Sequence, residues 1–351
     1  MDRLRPSAIW IFLVLCLANS PVARSCQVPV FRYALERWAP EDYLATITPA
    51  ETGLTAAEKR ALDILRAAPR DSVNPLNLEI QVGPPTSETQ GAARIELRYP
   101  HKLRDAGQQP IWQAPLNEQN VQRLLDSPVR RELRRRLLAG ESAVWLLVES
   151  GDPAKDAAAA KAVTEALTEA QSSLKLPDGV RGRADGAERS GPRANEQAEL
   201  LRTDLPLKIA FSLLRLRRND PEEAPLLAML THLEDDLNGF AHEPMVFPVF
   251  GRGRVIEPLI GAGIHKDNVM ECSGYLCGAC SCEVKDQNPG IDLLVAANWE
   301  PVDTTPHLEI IRITAHAEQP PVRRPILPAV GGGVLLLGLA AWRFRGRASK
   351  I

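Results

Sequence analysis

Apolar residues recur along the middle of the chain with two alternating periods. Tyr43 to Thr48 (YLATIT) alternates with period two and predicts a strand. Leu54 to Ala68 sets Leu54, Ala57, Ala61, Leu62 and Leu65 on one stripe, which predicts an amphipathic helix. Leu76 to Val82 and Ala93 to Tyr99 return to period two, and Ile111 to Leu116 predicts an antiparallel partner for the latter. Asn117 to Leu138 reads as helix, broken at Pro128 because proline removes a backbone donor. Ahead of these, Phe31, Leu35 and Trp38 stand at helical spacing in VPVFRYALERW. The predicted order is strand, helix, three strands, helix, ending near Gly140.

A similar order follows. Ala143 to Val148 (AVWLLV) is apolar throughout, as a strand covered on both faces is. Asp152-Pro153 opens an alanine-rich helix over Asp156 to Leu174. Leu207 to Leu216 predicts a strand and Pro225 to Leu237 a helix. Met245 to Phe250 and Val255 to Ile260 predict two strands across the turn Gly251-Arg252-Gly253, followed by a last helix over Asp267 to Leu276. Pro177 to Asn195 is rich in Gly, Arg and Asp and poor in apolar residues, which predicts a mobile insertion at 177–195.

The two ends are hydrophobic in a different way. Residues 1–25 open with two arginines, Arg3 and Arg5, then run uncharged from Ala8 to Ala18, then read Ala23-Arg24-Ser25. That order predicts a secretory signal peptide, with Cys26 as the first mature residue. The alternatives at this end are an uncleaved anchor and a lipid on Cys26, against which Arg24 stands. At the other end Ile326 to Trp342 is uncharged, about as long as the shortest membrane helices, and is followed at once by Arg343, Arg345, Arg347 and Lys350. The expectation is a transmembrane helix at 326–342 with a basic cytoplasmic tail at 343–351. A tail trimmed by a sorting protease is the alternative. The proline-rich stretch 301–325 reads as a stalk. The chain is thus expected to be exported and membrane-anchored, with its soluble region outside the cytoplasm.

Composition narrows what that region does. A net charge of −2 gives no broad attraction to nucleic acid, so no nucleic-acid partner is expected. Aromatic residues are 5% of the chain, which disfavours a carbohydrate-binding wall or a base-stacking platform. No Gly-x-Ser-x-Gly, His-Glu-x-x-His or phosphate-binding Walker loop is present.

The line EPMVFPVFGRGRVIEPLIGAGIHKDNVM resembles the end of a thioredoxin domain, with a proline before a strand, a glycine turn, a returning strand, Gly-x-Gly and a last helix. The resemblance covers Ser142 to Cys277 and, more faintly, Tyr43 to Leu138. It implies an α/β fold of two thioredoxin-like domains in tandem, 26–140 and 141–300, with Pro244 at that fold's cis-proline position. The lines CSCEVKDQNPGIDLL and CQVPVFRYALERW also resemble those of uncharacterised exported bacterial proteins, a likeness that implies no activity. A thioredoxin carries Cys-x-x-Cys on the loop between its first strand and first helix, where the helix N-terminus lowers the attacking thiol's pKa. Here that loop, Glu149 to Lys155, has no cysteine, and neither has Thr48 to Gly53. The resemblance therefore implies two degenerate copies.

The candidate chemistry lies elsewhere. Cys272, Cys277, Cys280 and Cys282 fall in the line ECSGYLCGACSCE. Such a cluster can bind a soft metal (zinc, copper or iron–sulfur), form structural disulfides, or cycle Cys277 and Cys280 between thiol and disulfide. His265 is a further candidate donor. With Cys26 the mature chain would hold an odd number of cysteines, so one thiol is left over. Cys277 is expected to end a helix, where the dipole raises a thiol's pKa. Gly251 to Arg254 reads as a hairpin turn rather than a phosphate loop, Glu234-Asp235-Asp236 as a solvated face, and Asn288 to Asp292 as a turn. The leading expectation is a non-catalytic interaction or assembly module with an envelope protein partner. The alternative is a thiol-exchange or metal-handling protein using the cysteine line.

Overall fold

A computed structural model describes residues 27–87, 91–100, 109–180, 200–280 and 284–299. The signal segment 1–25, Cys26, most of the insertion, Cys282, the stalk and the apolar segment 326–342 lie outside the described residues. No helix among the described residues is long and apolar enough to cross a membrane.

The fold is mixed α/β with two sheets. Helix α1 (Val30–Arg37) opens the chain, followed by β1 (Tyr43–Thr48), α2 (Ala56–Ala67), β2 (Leu78–Val82), β3 (Arg94–Arg98) and β4 (Trp112–Pro115). Thr55 starts α2 with a capping box, its hydroxyl accepting from the Glu58 N–H while Glu58 reaches back to the Thr55 N–H. Helices α3 (Glu118–Leu125) and α4 (Pro128–Leu138) realise the break at Pro128. Buried Arg130 helps end α3, donating to the Arg123 and Leu124 carbonyls that the helix leaves open. The sheet order is β2-β1-β3-β4, with β1 parallel to β2, antiparallel to β3, and β3 antiparallel to β4.

The same path then recurs. The next elements are β5 (Ala143–Val148), α5 (Pro153–Ser173), β6 (Phe211–Leu216), α6 (Ala224–Thr231), β7 (Met245–Phe250), β8 (Arg254–Val255), β9 (Leu259–Ile260), α7 (Lys266–Cys277) and β10 (Ile291–Asp292). Strand β5 is parallel to β6 and antiparallel to β7, and β7 is antiparallel to β8, giving the order β10-β8-β7-β5-β6.

Three elements differ from the sequence reading. The helix expected over Pro225 to Leu237 ends at Thr231, before Glu234, Asp235 and Asp236, whose charges oppose the negative end of a helix dipole. The strand expected over Val255 to Ile260 splits into β8 and β9 around Pro258, which has no N–H for the ladder, and both pieces pair with β7. No peptide bond among the described residues is cis, so the bond before Pro244 is trans.

Strand β5 explains its own composition. Val144, Leu146 and Val148 face one core cluster, while Ala143, Trp145 and Leu147 face a second. The first cluster also takes Tyr43, Ile47, Leu62, Ile95 and Leu124, so it joins both sheets. The second holds Val163, Leu167 and Ala170 of α5 with Val269 and Leu276 of α7.

The two ends of the described fold cross over. Helix α1 packs against α7 and β7, with Val30, Phe31, Tyr33 and Ala34 in the second cluster. Conversely, Leu293 to Trp299 runs as an extended strap into the first cluster. Its Val295 N–H donates to Asn77 Oδ1 (3.2 Å) and its Ala297 N–H to the Pro75 carbonyl (3.2 Å), while Arg130 Nη1 donates to the Leu294 carbonyl (3.2 Å).

Candidate functional site

The cysteine line begins on α7. His265 precedes the helix and Cys277 is its last residue, so the two stand about 18 Å apart along the axis at 1.5 Å per residue. His265 is therefore no donor to the Cys277 end. Cys272 is half-buried, Cys277 is 1% exposed and Cys280 is fully buried. Cys277 and Cys280 belong to the second core cluster beside Val28, Val30 and Leu276.

The start of the described chain covers this end of the helix. Pro29 forms an antiparallel bridge with Ala279. The Val30 N–H donates to the Gly278 carbonyl (3.0 Å), and the Cys280 N–H donates to the Val28 carbonyl (2.9 Å). A short hydrogen-bonded clamp therefore lies over the Cys277-Gly278-Ala279-Cys280 segment. Burial pushes the Cys277 thiol up to about 12 and raises Cys272 as well, with Glu271 adding to the latter. A thiol held protonated in an apolar core is a poor nucleophile and a poor metal ligand.

Neither Cys272 nor Cys277 is bonded to another described cysteine. Among the described residues, no group of three or more His, Cys, Asp or Glu is arranged to hold a metal ion. Cys272, Cys277 and Cys280 are thus not brought together as a ligand set, and Cys282 lies outside the described residues. Five residues separate Cys272 from Cys277 on a helix of 3.6 residues per turn, which turns the two thiols to different faces.

The two loops that carry catalysis in a thioredoxin have their own geometry. After β5, the Asp152 side chain accepts from the Ala154 N–H (2.9 Å) and caps α5. Buried Asp156 then turns back into the loop, accepting from the Ser150 N–H (2.7 Å), the Ser150 hydroxyl (2.8 Å) and the Gly151 N–H (3.2 Å). After β1, Ala50 bridges Thr86, and Thr55 caps the next helix. The donors at both helix starts are occupied by the chain's own side chains.

The remaining sequence candidates are accounted for by packing. Arg252 of the Gly251–Gly253 turn is buried and donates to the Leu35 carbonyl (2.8 Å) and the Glu36 carbonyl (3.4 Å), closing the end of α1. Gly251 takes φ +60°, and a Cβ there would lie 2.7 Å from Ala34 Cβ, so glycine is needed for the helix to approach. Glu234 and Asp235 line a cavity of about 280 Å³ with Tyr99, His232 and Glu257. Asp292, at the end of the Asn288 turn, is buried between Arg254 and Lys285.

Sequence reasoning missed Asp156, which lies in the first turn of the helix after the Glu149 to Lys155 loop. An acid four residues after an N-cap aspartate was its only signal. It also missed Arg217 and Arg218, whose setting depends on the pairing of β5 with β6. Compared with known proteins, the chain matches no family model, no curated protein and no solved structure.

Proposed function

We propose that this chain is an exported, membrane-anchored protein whose soluble region is a non-catalytic interaction or assembly module, built from two degenerate thioredoxin-like halves. The thioredoxin-like reading rests on topology alone. Each half runs strand, helix, parallel strand, then two antiparallel strands, in the spatial order second, first, third, fourth. The observation that carries the functional reading is the loop after β5. Where a thioredoxin presents a reactive thiol, this chain presents Ser150 and Gly151 with their N–H groups held by Asp156. Export and anchoring rest on the two apolar ends of the sequence.

The cysteines fit a structural role in the same reading. The Pro29–Ala279 bridge ties the start of the described chain to the end of α7, with Cys277 and Cys280 buried in the core beside it. This reading expects the remaining cysteines, Cys26 and Cys282 included, to serve in structural disulfides rather than in exchange.

The test is a thiol and metal census on the full-length chain recovered from an oxidising compartment, by alkylation mass spectrometry before and after mild reduction, with elemental analysis. The expected result is an unreactive Cys277, any cysteine bonds resistant to mild reduction, and no stoichiometric metal. A Cys277–Cys280 bond that opens at thioredoxin-like potentials, or a bound metal lost on Cys277→Ala, would overturn the reading and make the cysteine line an active site.

A further inference from the structure

We propose that the cleft at the carboxyl ends of β5 and β6 is a binding site for an oxyanion, the carboxylate or phosphate group of a ligand. The two strands run parallel and end level, Val148 against Leu216. Beyond them a cleft of about 410 Å³ opens between two loops, lined by Glu149 and Gly151 on one side and Arg217 to Pro221 on the other. Carboxyl ends of parallel strands are where open α/β sheets place ligands, because both following loops turn away there.

The charges around this cleft are unevenly used. The Glu149 carboxylate is held by Arg215 (2.7 Å). The Asp220 carboxylate accepts from the Glu222 N–H (3.0 Å), and Glu243 is paired with Lys155 (2.5 Å). Asp156, beneath, has its oxygens taken by Ser150 and Gly151. Each of these acids already has a donor. Neither arginine makes an ion pair among the described residues, although Asp156 attracts Arg218 from beneath. Arg218 is half-buried and donates Nε to the Glu149 carbonyl (3.2 Å) and Nη2 to the Glu243 carbonyl (3.3 Å), which leaves Nη1 with no partner among the described residues. Arg217 is exposed, and its side chain meets no partner among the described residues.

This arrangement fits an anion better than a cation or an apolar group. Two backbone carbonyls fix the Arg218 guanidinium in place without neutralising it. Partial burial strengthens its attraction for a counter-charge and lowers its own pKa against the pull of Asp156, so an oxyanion here offsets part of the cost of burying the guanidinium. A planar guanidinium offers paired N–H donors that match two oxygens of one carboxylate or phosphate. Arg217 adds a second donor at the rim, and Asn219, the next residue after Arg218, also lines the cleft. The site needs no cysteine and stands independently of the disulfide reading.

The test is calorimetric titration of the full-length chain in detergent, at fixed ionic strength, with inorganic phosphate and separately with glutarate. Saturable binding of at least one anion is expected. It should weaken about tenfold in Arg218→Gln and several-fold in Arg217→Gln, as for the loss of a charge-assisted hydrogen bond. Binding of phosphate alone identifies a phosphoryl ligand, and binding of glutarate a carboxylate ligand. The Arg217 side chain makes no hydrogen bond or ion pair among the described residues, so its variant guards against simple unfolding, and thermal melting checks both. No saturable binding of either anion, or an affinity unchanged in Arg217→Gln, overturns the site.

Discussion

Cys277 keeps its proton because it has almost no access to water, and this couples one thiol to the stability of the fold. Its value rises from the ordinary 9.0 to about 12 on burial. Below about pH 9 both folded and unfolded chains hold the proton, and the full contribution of the buried thiol is present. Between about pH 9 and 12 the unfolded thiol has ionised while the folded one has not. Folding must then take up a proton, so stability falls by about 1.4 kcal/mol per pH unit from this group. Denaturant midpoints measured from pH 8 to 10 should fall faster in the wild type than in Cys277→Ala. Lysine titration contributes equally to both chains and cancels in the comparison. Parallel slopes would show that the thiol is not sequestered. The pKa direction at this residue was legible beforehand from its place at a helix end, but for a different cause. The dipole argument pointed upward, and burial under Val28 to Val30 is what the structure supplies. No spacing rule connects Val28 with Cys280, because a β-bridge across the length of a domain leaves no local periodicity.

At the scale of the element, α1 is held by a buried ionic network. Glu36 accepts from Arg32 Nε (2.7 Å), from the Arg202 N–H (2.8 Å) and from the Thr203 N–H (3.2 Å), while Arg32 Nη2 donates to the Thr203 hydroxyl (2.7 Å) and the Leu205 carbonyl (2.8 Å). Both charged side chains are about fully buried, at 1% and 0% exposed. Arg37 also pairs with Glu36 (3.4 Å), so removing Glu36 strips two buried arginines of their carboxylate. Glu36→Ala should cost about 3–5 kcal/mol by chemical denaturation, and the double change Arg32→Met with Glu36→Leu should cost clearly less than the single one. A double variant as damaged as the single would mean that shape, not charge, holds the helix. The existence of α1 was readable from Phe31, Leu35 and Trp38. Its docking site was not, since Arg32 and Thr203 lie 171 positions apart. The same holds for the two sheets. Their strands were legible from alternation at Tyr43 to Thr48 and from the solid apolar run of β5. The ends of α6 and β8 were not, because local chemistry at Glu234 to Asp236 and at Pro258 overrode a pattern that continued past them.

At the scale of the whole molecule, the repeated strand path suggests two halves, yet the cores do not divide that way. The first cluster takes β5 residues along with β1 residues, α1 serves the second sheet, and the strap Leu293 to Trp299 serves the first. Cutting the chain near Gly140 would strip each half of a buried piece contributed by the other. The expectation is one cooperative unfolding transition. Amide exchange in β1 and in β5 should report the same opening free energy, and fluorescence should track circular dichroism through a denaturant melt. Two separated transitions, or β1 amides that exchange through a much cheaper opening, would mean that the halves stand alone.

The strap has a further consequence for how such a chain is made. Synthesis runs from residue 1 onward, and the first sheet is complete by Pro115. Its core still waits for Leu293, Leu294 and Trp299, among the last residues of the described fold. The opening helix waits as well, for a partner that is not finished until Cys277. A fragment that has grown only as far as the first sheet therefore holds apolar surface it cannot yet hide, and the native structure closes only once Leu293 to Trp299 has been made.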